Sequence, residues 1–229
     1  MAADGRTLLG AEALLRWDHP RHGEIPPSVF IPVAEERGLI QRLGAWALER
    51  ACADAVRLDL PWVAVNVAPH QLREPRFVDE VLATLRRTGL PPARLQIEAT
   101  ENALIGPAEV VASSFRRLRQ AGVTVALDDF GAGFSSLHYL REYQVDKIKI
   151  DRSFVQHVSA ADAPEPIIRA MVELGRSLGL RVTAEGVETA AQWASLAAFG
   201  CQEFQGFHFA RACRIGDFAV WTAPARAAG

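Results

Sequence analysis

Two periods of hydrophobic and polar positions alternate along this chain. Short runs rich in Val, Ile and Leu at 8–15, 62–67, 94–99, 123–128, 146–150, 181–185 and 202–207 read as strands. Longer stretches with helical spacing separate most of them. In "LIQRLGAWALERACADAVRL" (39–58), Leu39, Leu43, Trp46, Ala47 and Ala51 fall on one helical face. "RFVDEVLATLRRTGL" ends on Gly89, a C-cap, with Pro91 and Pro92 beyond it. "PAEVVASSFRRLRQAGV" and "PEPIIRAMVELGRSLGL" predict two further helices. Repeated β-α units imply an α/β fold with a parallel sheet. No segment has linker composition, so 1–229 reads as one domain, with 222–229 as a disordered tail. Seven strands fit an open doubly wound sheet. They also fit an eight-stranded barrel whose missing strand would precede Met1. The proline-rich stretch 18–33 reads as a long functional loop.

Alternation within the strands carries more information, because successive side chains face opposite sides. Val63, Val65 and Val67 oppose Ala64 and Asn66, and Leu95 and Ile97 oppose Gln96 and Glu98. Val125 and Leu127 oppose Thr124, Ala126 and Asp128, while Ile148 and Ile150 oppose Lys147, Lys149 and Asp151. Val182 and Ala184 oppose Thr183 and Glu185, and Gly10 shares a face with Glu12. One face of each strand is apolar and suited to pack on helices. The other is small or polar and ends in Glu12, Asn66, Glu98, Asp128, Lys149 or Glu185. Strand C-terminal ends are where (β/α) barrels build active sites. Any one such residue is as well explained by a wet strand end. Six in the same phase are not. Asp129 breaks the alternation: either the strand stops at Asp128 and the backbone turns, or Asp129 points outward. Gly131 and Gly133 permit the turn.

Composition removes several function classes. The net charge of −2, with Lys and Arg scattered, gives no stripe for a nucleic-acid polymer or an anionic membrane. Cys52, Cys201 and Cys213 fit neither a disulfide framework nor a zinc knuckle, which makes a reducing cytoplasm the expected compartment. No apolar run reaches the ~18 residues of a membrane span, and no signal segment opens the sequence.

Converging carboxylates cannot stand alone. Two unit charges ~4 Å apart cost roughly 4 kcal/mol at an effective ε near 20. Either several protonate, or cations sit among them. Carboxylates with an Asn carbonyl suit Mg²⁺, Mn²⁺ or Ca²⁺ rather than a thiolate-bound metal. His19 and His22 read as structural or exposed. Two divalent ions sharing a carboxylate would hold Asp128 and Asp129 together, an arrangement that recurs in phosphodiester hydrolysis. "FGAGFSS" is not a nucleotide-binding loop of the Walker type, since no Lys follows it. Taken singly, Lys149 could be a barrel-end partner of Glu98 or Asp128, and Arg16 a surface partner of Asp18.

"GAEALLRWDHPRHGEIPPSVFIPVAEERGLI" resembles the opening signature of the EAL-domain family, with Glu12-Ala13-Leu14 as the namesake tripeptide. "VNVAPHQL", "IEATE", "DDFGAGFSSL", "KIKIDRSFV", "AEGVET" and "GCQEFQGFHF" resemble its later motifs in the same order, over about 7–211. The resemblance implies a (β/α)₈ TIM-like barrel and hydrolysis of cyclic di-GMP to linear pGpG with two Mg²⁺ or Mn²⁺ ions. By resemblance, Glu12, Asn66, Glu98 and Asp128 hold one metal, and Asp128, Asp129 and Glu185 serve the second. Lys149 and Glu185 are then catalytic, Lys149 touching the attacking water and Glu185 serving as its base. Arg16 would meet a substrate phosphate and Gln205 would lie against substrate. Glu101 would steady the glycine turn after Asp129, with Asp151 and Glu188 around the ligands. The resemblance also implies a homodimer and an upstream sensory or cyclase-like domain. Ala68, Ala99, Ala132 and Ala212 depart from the family's usual residues without removing a ligand. The family's preceding helix and first strand, with a Tyr-Gln-Pro segment, are not in the sequence, so the barrel is expected to lack that strand. The alternative reading is a module that binds cyclic di-GMP, or a partner, without cleaving it.

Overall fold

A computed structural model describes residues 1–104, 108–132, 140, 143–158 and 166–222. Seven parallel strands form one sheet: β1 (Ala11–Ala13), β4 (Val63–Asn66), β5 (Leu95–Thr100), β6 (Thr124–Phe130), β7 (Lys147–Ile150), β8 (Arg181–Ala184) and β9 (Glu203–Phe204). They lie side by side in chain order, as successive β-α units require. All seven expected strands are present. Each is shorter than or shifted from its apolar run by a few residues, because pairing rather than hydropathy sets the ends.

The expected loop at 18–33 contains structure of its own. β2 (Trp17–His19) and β3 (Gly23–Ile25) form an antiparallel hairpin, and α1 (Pro27–Glu36) follows. α2 (Ile40–Arg57) covers the expected 39–58 helix. α3 (Pro69–Leu72) leads to α4 (Phe77–Thr88), which stops where Gly89 takes a left-handed φ of 74° and donates its N–H to the Leu85 carbonyl. α5 (Ala108–Gln120), α6 (Arg152–Val155), α7 (Pro166–Ser177), α8 (Ala190–Phe199) and α9 (Ile215–Thr222) complete the helices described. α8 begins with a capping box: Thr189 Oγ1 accepts from the Gln192 N–H, and Gln192 Oε1 accepts from the Thr189 N–H. Among the described residues no helix is long and apolar enough to cross a membrane. The tail expected to be disordered, 223–229 of it, lies outside the described residues, as does most of the glycine loop, 133–139.

Alternation divides the sheet as expected. Val63, Val65, Leu95, Ile97, Val125, Leu127, Ile148, Ile150 and Val182 are buried in the main hydrophobic core. Burying each such side chain contributes about 1.5–3 kcal/mol. The opposite face buries Gln96, Glu98, Lys147, Lys149, Thr183 and Glu203, where barrel interiors usually carry bulky apolar residues. The sheet is strongly curled. Gln205, just after β9, reaches Glu12 on β1 with a 2.6 Å hydrogen bond, although β1 and β9 are the two outermost strands in the pairing order. Beyond β9 lies an antiparallel bridge from Ala2 to Glu203, with the Met1 carbonyl accepting from the Phe204 N–H at 3.0 Å.

Candidate active site

Strand register gathers the polar ends at one mouth. Asn66 pairs with Glu98 across β4–β5, and Thr100 with Asp128 across β5–β6. Lys149 pairs with Thr183 across β7–β8, two residues short of Glu185. The side chains from these strands meet around Lys149 Nζ. It lies 2.6 Å from Glu98 Oε2, 2.6 Å from Glu185 Oε1, 3.2 Å from Asp128 Oδ1 and 3.7 Å from Glu12 Oε2. The Glu185 contact is an ion pair made outside hydrogen-bonding geometry. Asn66 Nδ2 donates to Glu12 Oε1 at 2.6 Å, and Gln205 Nε2 donates to Glu12 Oε2.

Asp129 joins this cluster by a route that neither sequence alternative foresaw. β6 continues to Phe130, and a register shift against β7 falls between Leu127 and Phe130. Within that bulge Asp129 adopts φ 53°, a left-handed conformation that Asp tolerates better than most residues. Two adjacent carboxylates therefore reach the same cavity without the strand ending. Gly131 follows at φ 96°, and a Cβ there would lie 2.3 Å from Met171 Cε, so glycine is required twice over. The Gly131 N–H donates to Glu101 Oε1 at 3.0 Å, fixing the start of the turn.

Among the described residues two triads have ligand oxygens within 4.8 Å of one another: Glu12, Glu98 and Asp128, and Asp128, Asp129 and Glu185. Asp128 belongs to both. All donors are hard oxygens, the chemistry that divalent cations such as Mg²⁺, Mn²⁺ and Ca²⁺ favour. Among the described residues five carboxyl groups here face one ammonium, an excess of four negative charges, which two divalent ions would match. Without them the cluster strains to shed charge. Burial raises the Glu98 carboxyl to about 7, with Glu12 and Asp128 adding repulsion against the pull of Lys149. Burial likewise raises Glu185 to about 8, with Asp128 repelling it. Burial, then Asp128 and Asp151, raise Asp129. Burial opposes the charge on Lys149, but Glu98, Glu185, Glu12 and Asp128 together hold its pKa well above the ordinary value.

The structure thus brings together Glu12, Asn66, Glu98, Asp128, Asp129, Lys149, Glu185 and Gln205. Lys149 touches both Glu98 and Asp128, the partners expected of a barrel-end lysine, and Glu185 and Glu12 as well. Arg16 lies outside the cluster. Its pairing expected with Asp18 is not found: it sits 3.6 Å from Glu24 across the hairpin, both exposed, while Asp18 pairs with Arg214 at 2.8 Å. The hairpin causes the exchange, since β2–β3 pairing brings Glu24 level with Asp18. Asp151 caps α6, accepting from the Ser153 N–H at 3.0 Å. Glu188 is exposed, and its backbone N–H donates to Gln192 Oε1. His19 and His22 face each other with ring centroids 4.6 Å apart. A neighbouring feature escaped the sequence reading. On the same interior face, Lys147 Nζ lies 2.5 Å from Glu203 Oε2 and 4.5 Å from the centre of the Trp62 ring. The alternation of Glu203 with Gln205 was the available signal.

Fold and site define an α/β protein of the barrel type with an acidic, cation-ready mouth. The chain belongs to the EAL-domain family: the model of the EAL domain matches residues 1–212. An uncharacterized signaling protein of Caulobacter vibrioides is 48% identical over 222 residues, covering 96% of this chain and 27% of that protein. The bifunctional diguanylate cyclase/cyclic di-GMP phosphodiesterase MucR of Pseudomonas aeruginosa is 41% identical over 210 residues, covering 89% of this chain and 30% of MucR. The solved phosphodiesterase of that protein, in complex with c-di-GMP, superposes with a TM-score of 0.85 at 40% identity, covering 92% of this chain and 87% of the solved chain. This chain therefore spans less than a third of the length of these curated relatives.

Proposed function

We propose that this chain is a metal-dependent phosphodiesterase that hydrolyses cyclic di-GMP to linear pGpG. The observation that carries the reading is the pair of carboxylate triads sharing Asp128 around one buried ammonium. Glu12, Asn66, Glu98 and Asp128 would hold one Mg²⁺ or Mn²⁺, and Asp128, Asp129 and Glu185 the other. Bound there, the ions would lower the pKa of a water and neutralise charge building on the phosphodiester. Lys149, anchored by carboxylates on four sides, holds a fixed ammonium where attacking water and phosphate oxygens meet. Glu185, whose carboxylate lies beside Lys149 at the same mouth, would accept the proton the water loses. The water oxygen bonds to phosphorus as one P–O3′ bond breaks, and the departing 3′ oxygen takes up a proton. Arg16, which donates to the Leu15 carbonyl and meets Glu24 only through an exposed ion pair, would exchange Glu24 for a substrate phosphate. Gln205 and Asn66 orient Glu12 through its two oxygens.

The same reading includes one domain, a homodimer in the cytoplasm and an upstream signalling domain; the greater length of the relatives supports a further domain. Incubation with cyclic di-GMP and Mg²⁺ or Mn²⁺ should yield pGpG, and Glu12→Ala should not. Equal turnover by the two proteins removes the reading. Binding with no turnover in any metal makes the chain a nucleotide-binding module instead.

A further inference from the structure

Strand β5 carries a second polar side chain on the interior face, two residues before Glu98. Gln96 is 3% exposed and Glu98 1%. Gln96 Nε2 donates to Glu98 Oε1 at 2.6 Å, while Lys149 Nζ takes Glu98 Oε2 at the same distance. The two oxygens of one carboxylate therefore have separate duties. Oε2 pairs with the Lys149 ammonium, and Oε1 accepts from the uncharged amide of Gln96. We propose that Gln96 is a positioning residue that restricts Glu98 to binding a metal through one oxygen and so tunes the site toward small divalent ions.

The argument is geometric. A buried carboxylate needs donors on both oxygens. A second ammonium below Glu98 would supply one, at the cost of removing negative charge that the cations require. An amide supplies the hydrogen bond and leaves the charge in place. It also fixes the carboxylate plane. Mg²⁺ demands near-octahedral geometry and is held by few carboxylates, whereas Ca²⁺ takes six to eight oxygens and accepts two-oxygen chelation. A Glu98 free to rotate would offer both oxygens and favour the larger ion. Partners of metal ligands typically change affinity by about 10- to 100-fold when removed.

The inference rests on Glu98 being a metal ligand, and calorimetry separates the two claims. Mg²⁺, Mn²⁺ and Ca²⁺ are titrated into the wild type, Gln96→Met and Gln96→Asn, and melting is followed in EDTA. Gln96→Met keeps length and loses the donor. Its Mg²⁺ affinity should fall about tenfold, with Ca²⁺ affinity falling less, so the ratio of the two constants shifts toward Ca²⁺. A purely structural Gln96 would move melting in EDTA and leave that ratio where it was. Affinities within twofold of wild type, or an unchanged ratio, overturn the proposal. Should Gln96→Met fail to fold, Gln96→Asn decides it: the site stays polar and uncharged, the amide is one methylene short of Glu98 Oε1, and wild-type affinities in that variant overturn the proposal. A wild type that takes up no divalent ion ends the metal reading itself, and this inference with it.

Discussion

Lys147 and Lys149 stand two residues apart on one face of β7, each 2% exposed, yet they live in opposite electrostatic worlds. Lys147 meets Glu203 at 2.5 Å, lies over the Trp62 ring, and shares Glu203 with Thr183 and Arg181. Gly10 faces the same ring so closely that a Cβ would lie 2.2 Å from Trp62, which closes this end of the interior. Charge there nearly balances, and burial wins: it pulls the Lys147 pKa below the ordinary value against the attraction of Glu203. Lys149 faces four carboxylates, and their attraction overrides burial. A balanced buried pair is a structural element; an unbalanced one is a binding site waiting for positive charge. Burial and hydrogen bonding are alike at the two tiers, so net charge is what separates scaffold from chemistry.

The largest expected effect comes from the carboxylate common to both triads. Asp128→Asn should lower cyclic di-GMP turnover about 10³-fold or more, the loss of several kcal/mol of metal-derived stabilisation. It should also reduce the divalent ions bound per chain, as read by calorimetry. Glu203→Gln in the lower tier should leave turnover within about threefold at a temperature where it stays folded. Equal losses from the two substitutions would erase the distinction between the tiers.

Stability sharpens the same contrast. Lys147→Met leaves Glu203 buried without its ammonium and should cost about 3–5 kcal/mol, a drop in melting temperature on the order of 10 °C. Divalent ions should not restore it. Lys149→Met should lower the melting temperature in EDTA comparably, because five carboxyl groups then share no cation. Mn²⁺ should recover most of that loss. Rescue of Lys147→Met by Mn²⁺ would show that the tiers are one site.

Acid dependence follows from the raised carboxyls. Between the ordinary range near 4.5 and about 7 for Glu98, or about 8 for Glu185, the folded chain keeps protons that the unfolded chain has released. Folding is then favoured by protons, so stability falls as pH rises across that window, and it levels off outside it. Lys149, whose pKa is raised, loses its contribution only above the ordinary lysine range and does not bend the curve there. In EDTA the melting temperature should fall by several degrees from pH 5 to pH 8. Saturating Mg²⁺, which competes with protons for the same oxygens, should flatten or reverse the slope. A flat profile in EDTA would mean that these carboxyls carry ordinary affinities.

The upper tier was largely legible in the sequence because a parallel strand has a strict two-residue period, and Glu12, Asn66, Glu98, Asp128, Lys149 and Glu185 all obey it. Asp129 was misread because a bulge suspends that period, and nothing in "LDDFG" sets a bulge apart from a strand end. The hairpin at Trp17–Ile25 was invisible for a different reason. Its two strands are three residues each, too short for alternation to register among prolines and histidines. The lower tier was missed because Lys147 and Glu203 are 56 positions apart, and only the curl of the sheet brings them together.

The smallest effect tests whether distance alone makes a salt bridge matter. Arg214 meets Asp18 at 2.8 Å, nearly as close as Lys149 meets Glu98 at 2.6 Å, yet the two side chains are 84% and 61% exposed. Water screens this pair and competes for both groups, and ordering two long exposed side chains costs rotamer freedom. Exposed pairs contribute about 0–1 kcal/mol. Arg214→Ala should therefore shift the melting temperature by no more than about 2 °C, and 1 M salt, where the screening length is about 3 Å, should remove even that. Lys149→Met, by contrast, should stay destabilising in EDTA at either salt concentration, because its partners are shielded from the ions in solution. A loss of 3 kcal/mol or more from Arg214→Ala would place the hairpin contact in the same class as the interior tiers and break the rule that net charge and burial together decide which ion pairs count.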